Sequence, residues 1–263
     1  MEIYQRIKLK TMSILKSVPL LFLLFTLFSC GDKDLESSSL SKSQKIINQS
    51  IEAHGGDLYG SAHYSFVFRG KTYQFKNDGN NYEYTKISTN GEETTHDVLT
   101  NNDFKRMIDG KLVDVSPKEI AAATGGINSV IYFACLPYKL NDNAVHSKYI
   151  ESISIKDKEY DVIEVTFAKE GGGEDHDDEY YYWINKDTKK IDYLAYNYTV
   201  NDGGVRFRSA YNTRVIDGIT FQDYINYGAS VGTPLKDLPA LYEAQKLEEL
   251  SRVKTESVIN LNK

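Results

Sequence analysis

Residues 179–200 read EYYYWINKDTKKIDYLAYNYTV, and their reading decides the fold. Glu179–Asn185 and Lys190–Val200 are rich in the aromatic and branched side chains that suit a pleated sheet. Between them, Asn185-Lys186-Asp187-Thr188 supplies the residue types that turns use. Two such runs joined by a short polar link predict an antiparallel pair.

The same grammar extends in both directions. Upstream, Tyr149–Ile155 and Glu159–Ala168 flank Lys156-Asp157-Lys158. Downstream, Val205–Ile216 and Ile219–Tyr227 follow Asn201-Asp202-Gly203-Gly204 and flank Asp217-Gly218. Residues 228–247 read as a loop with a short helix, and Leu250–Leu261 as a closing strand. Nearer the start, Tyr64, Phe66 and Phe68 alternate with Ser65, Val67 and Arg69, followed by Thr72–Phe75. Asn77-Asp78-Gly79-Asn80, Asn90-Gly91 and Asp109-Gly110 then punctuate further strands as hairpin turns.

Two helical segments interrupt the strands. Ile46, Ile47, Ile51 and Ala53 make an apolar stripe over 43–54, closed by Gly55-Gly56. Ser116-Pro117-Lys118-Glu119 has the serine, proline and glutamate spacing of a capping box. Gly125-Gly126 is expected to divide that helix from an apolar second piece, Ile127–Leu136, buried on both sides. The fold class is therefore mainly β (α+β). It is a large curved antiparallel sheet or incomplete barrel of about 10–12 strands wrapping two or three helices, a single domain over 43–263.

The N-terminus has a different character. Arg6, Lys8, Lys10 and Lys16 precede an apolar run, Val18–Phe28. As a helix that run reaches about 16 Å, far short of a hydrocarbon core of about 30 Å. This is a signal peptide over 1–29 rather than a membrane span, and a leader beginning at Met12 would still carry Lys16. Leu27-Phe28-Ser29-Cys30-Gly31 resembles the lipobox of bacterial lipoproteins. That resemblance implies cleavage before Cys30 and lipidation of its thiol, with Phe28 bulkier than the commonest residue there. Residues 30–42 then form the lipidated cysteine and a polar, serine-rich tether. The implied place is the cell envelope, anchored most naturally at the outer membrane.

Composition narrows the partners. Beyond residue 29 the chain carries 27 Lys and Arg against 36 Asp and Glu. That balance excludes the basic footprint of nucleic-acid binding and electrostatic adhesion to anionic lipid. Acyl chains on Cys30 are then the expected membrane contact. Cys135, the other cysteine, sits in an apolar stretch and reads as a small core residue, with no disulfide framework.

An entry helix ending in Ala53-His54-Gly55-Gly56, a long β meander, a mid-chain apolar helix and a final strand together resemble a known class. It is the carrier-like fold of the bacterial lipoprotein-localisation (LolA/LolB-like) proteins and related outer-membrane lipoproteins. More narrowly, the chain resembles an uncharacterised Gram-negative group with this AHGG opening. The likeness spans 43–260 and implies an apolar interior that in the carriers receives acyl chains. A lipid-anchored chain suits a resident lipid binder or acceptor better than a shuttle. The expected cavity is lined from Phe66, Phe68, Ile131, Phe133 and Tyr182. A closed core built from those same residues is the alternative.

No catalytic residue, cofactor or metal is expected. Glu170–Glu179 is dense in carboxylates, but it lacks EF-hand spacing and reads as a solvated hairpin loop. His54, Asp57 and His63 surround the AHGG turn, where a helix-terminal histidine ordinarily serves the helix end. Familiar nucleophile, zinc-protease, redox and phosphate-binding motifs are absent from the sequence. The first reading is non-enzymatic binding of a lipid or other apolar ligand. An envelope interaction module with exposed tyrosine-rich strands and a hydrolase centred on His54 are the two competitors.

Overall fold

Most strands follow from the alternation and turns already noted. The computed structural model describes residues 40–168, 178–199 and 202–263. The leader, Cys30, most of the tether and most of the acidic loop lie outside those residues. Two antiparallel seven-stranded sheets result. The first holds β1 (His63–Phe68), β2 (Lys71–Asp78), β3 (Asn81–Asn90), β4 (Glu93–Thr100), β5 (Phe104–Ile108) and β6 (Lys111–Val113). The second holds β7 (Val145–Ile155), β8 (Lys158–Phe167), β9 (Tyr180–Asn185), β10 (Ile191–Tyr198), β11 (Gly204–Ile216), β12 (Ile219–Ala229) and β13 (Glu248–Val253). β14 (Glu256–Asn260) returns to the first sheet, beside β1. The sheets do not close into a barrel.

The expected closing strand is in fact two, one in each sheet. The break lies at Lys254-Thr255, and a buried polar cluster holds it there. The Thr255 backbone N–H donates to Asp223 Oδ1 at 3.0 Å. Arg214 bonds the same aspartate at 3.1 Å and donates to the Thr255 hydroxyl at 2.7 Å. Such side-chain contacts are long-range, so period-2 alternation alone cannot reveal the corner.

Both longer helices lie on the inner side. α1 (Lys42–His54) is capped by Ser41 and Gln44 and buries Ile46 and Ile47 among Leu194, Tyr182 and Ile163 of the second sheet. α2 (Pro117–Ala134) starts with the expected Ser116–Glu119 capping box. It then runs unbroken through Gly125-Gly126, against the expected division. Interior glycine costs roughly 0.5–1 kcal/mol. Burying a large aliphatic side chain returns about 1.5–3 kcal/mol, and Ile127 and Ile131 are both fully buried. Burial wins, and the helix continues.

α2 separates two apolar clusters. Ile127, Ile131 and Cys135 pack on Phe66, Phe75 and Tyr84 of the first sheet. Tyr132 and Phe133 pack with the cluster of the second sheet. β9 is buried along its whole length because that sheet is covered on both faces. Its outer face carries Tyr181, Trp183 and Phe207 beneath Leu235, Leu238 and Tyr242, with α3 at Leu238–Glu243.

Candidate functional site

The space between α2 and the sheets contains a cavity of about 270 Å³. Phe66 and Phe68 enter it from β1, and Val130, Phe133 and Ala134 from α2. Tyr224 and Asn226 of β12, Arg208 of β11 and Val253 of β13 form the facing wall. These elements meet because β1 and β12 flank the corner. Tyr64 on β1 donates its hydroxyl hydrogen to the Ile216 carbonyl at 3.0 Å. Arg69 and Gly126 stand at the exposed lip.

A second cavity of about 270 Å³ lies on another side of α2, lined by Tyr82, Tyr84, Ile131, Tyr132 and Phe167. The expected lining residues are thus distributed. Phe66, Phe68 and Phe133 share the first cavity, while Ile131 borders the second. Tyr182 is fully buried behind α2, with its hydroxyl 2.7 Å from that of Tyr132.

Arg208, missed in the sequence reading, has the most informative electrostatics. Only 9% of it is exposed. One terminal N–H donates to the Tyr196 hydroxyl at 2.8 Å, and the guanidinium carbon stands 4.0 Å from the Phe133 ring centre. Among the described residues Nε and Nη1 have no hydrogen-bond partner, and neither does Asn226 Oδ1 across the strand pair. A signal was present: Arg206 and Arg208 alternate with Val205 and Phe207. The aromatic face reads naturally as the interior. It is instead the outer face, buried under the α3 segment, which turns the arginines inward.

The AHGG turn has a framework explanation. His54 is 1% exposed; its Nδ1 lies 2.8 Å from the Ser50 carbonyl and its Nε2 3.1 Å from Gln222 Oε1. Burial lowers its pKa, opposed by those same two bonds. Gly55 adopts φ +142°, and an added Cβ would come within 3.1 Å of Ile219. The motif therefore seats α1 on the β11–β12 hairpin. Asp57 is exposed, and His63 is half-buried on β1. Among the described residues no group of His, Cys, Asp and Glu gathers to hold a metal. No helix there is long and apolar enough to cross a membrane.

A family model matches residues 16–255, nearly the whole chain. The chain belongs to DUF6503, a family of unknown function. No curated protein matches it. Among solved structures it is similar to a LolA superfamily protein from Nitrosomonas europaea. The TM-score is 0.45 at 12% identity, covering 73% of this chain and 88% of that one. It is also similar to an outer membrane lipoprotein-sorting protein domain from Vibrio parahaemolyticus (0.40, 8%, 76% and 97%). The Mycobacterium tuberculosis lipoprotein LppX is more distant (0.27, 10%, 60% and 88%). The open two-sheet architecture stands on its own strand pairing.

Proposed function

We propose that this chain is a lipid-anchored envelope protein that binds a lipid or similar apolar ligand and catalyses no reaction. Acyl chains on Cys30 hold it to a membrane, residues 30–42 act as the tether, and 43–263 form one binding domain. The supporting observation is the cavity beside α2, whose Phe66, Phe68 and Phe133 offer an apolar surface deep between the sheets. Its volume of about 270 Å³ falls just under the roughly 300–1,000 Å³ of small-molecule sites, so it suits one chain rather than several.

A partner-docking role would need exposed aromatic strands. Instead, every described tyrosine is buried or half-buried, and the exposed large apolar residues, such as Leu112, Val215 and Val231, are aliphatic. The test is native mass spectrometry of the detergent-extracted protein, read for mass added at Cys30 and for noncovalent lipid. A protein that neither copurifies with lipid nor takes up a fluorescent fatty acid overturns the binding reading. Unchanged membrane association after Cys30→Ala overturns the anchor.

A further inference from the structure

We infer that the cavity beside α2 takes an amphiphile with an anionic head, and that the Arg208 guanidinium receives that head. The inference rests on the apolar-ligand reading above and adds the chemistry of the polar end.

Two part-buried arginines in this fold have carboxylates, and a third, Arg206, donates to the Tyr198 hydroxyl and the Val205 carbonyl. Arg106 clamps Asp97 through two bonds of 2.6 and 2.9 Å, and Arg214 meets Asp223 at 3.1 Å. Among the described residues Arg208 has a neutral tyrosine hydroxyl and two aromatic faces, and no carboxylate. Its Nε and Nη1 hydrogens have no partner among the described residues while nine-tenths of the residue is buried, which leaves N–H donors for a carboxylate or phosphate oxygen. A buried charge without a counter-charge is costly, and an anion arriving from outside removes that cost.

The surroundings favour an amphiphile over a bare inorganic anion. Phe66, Phe68 and Phe133 line the same cavity and would lose water contact only against an apolar tail. Arg69 at the exposed lip places a second positive charge on the approach. The shared chemistry covers a fatty acid carboxylate and a single-chain lipid phosphate.

Isothermal titration calorimetry on the purified full chain with palmitate, hexadecyl phosphate and hexadecanol separates the possibilities. All three carry the same tail. The expected result is binding of hexadecanol, with at least one anion bound tenfold or more tighter; whichever anion leads identifies the head. Arg208→Met is expected to abolish that preference and keep hexadecanol binding, which also reports that the variant is folded. Equal affinity of the wild type for alcohol and anions overturns the role of Arg208 and leaves the apolar cavity standing. Failure of all three ligands to bind overturns the cavity reading and this inference with it. The wild-type comparison decides even if the variant does not fold.

Discussion

The hydroxyls of Tyr132 and Tyr182 meet at 2.7 Å and join α2 to β9 across the interior. Burial pushes both pKa values up, so both hydroxyls keep their protons and one donates to the other. The bond fixes how far α2 sits from the second sheet, and so the width of the space beside it.

Removing one partner leaves the other buried and unpaired, which costs about 1–3 kcal/mol. Tyr132→Phe is expected to lower stability by that amount in urea denaturation. Tyr132→Phe combined with Tyr182→Phe is expected to cost less than the two single losses added. Strict additivity in that double-mutant cycle would show that the bond contributes nothing specific.

His54 makes the fold sensitive to mild acid. Burial holds its folded pKa below the usual 6.5, so the native state binds fewer protons than the unfolded chain in that range. Stability is then full above pH 6.5 and declines as pH falls toward the folded value, by at most about 1.4 kcal/mol per pH unit for one group. His63 shifts in the same direction through burial and then Lys76. Denaturation at pH 7.5 and 5.5 is expected to show a weaker pH dependence in His54→Gln than in the wild type. An identical slope in the variant would clear His54 of the effect.

Strand identity was legible wherever a turn punctuated alternation, as at Asp109-Gly110 and Asp217-Gly218, where both residues adopt the positive φ of a tight hairpin. The capping box at Ser116 and the stop at Gly55 were equally local signals. What stayed hidden depends on partners distant in sequence. The corner at Thr255 is held by Asp223, 32 residues away. The inward turn of Arg208 depends on a second layer packed over Phe207. Phe66, Phe68 and Phe133 carry an aromatic signal of their own, whereas no local pattern marks the arginine that shares their cavity as facing inward.

Cys135 is expected to be chemically quiet. It is 2% exposed, and burial raises its pKa to about 12, so the reactive thiolate is scarce at neutral pH. In a Cys30→Ala background it is the remaining cysteine. Its labelling by Ellman's reagent is expected to follow global unfolding, rising with urea in step with loss of the fold. Prompt labelling in native buffer would mean that α2 detaches readily from the first sheet.

Gly126 tests the continuity of α2. It lies within the helix and borders the cavity, and a Cβ added there meets nothing within 4 Å. A helical glycine with open space around it costs flexibility without repaying it in contacts. Gly126→Ala is therefore expected to raise stability by about 0.5–1 kcal/mol, since alanine narrows the unfolded ensemble and suits the helical backbone. A loss of stability would mean that this residue leaves the helical conformation, as the Gly125-Gly126 pair suggests from sequence alone. The substitution also reads out the cavity. Its methyl group stands at the lip rather than among Phe66, Phe68 and Phe133, so hexadecanol affinity is expected to stay within a few-fold of wild type while the melting temperature rises. A stabilised variant with lost binding would instead make bending of α2 at this glycine a requirement for ligand entry.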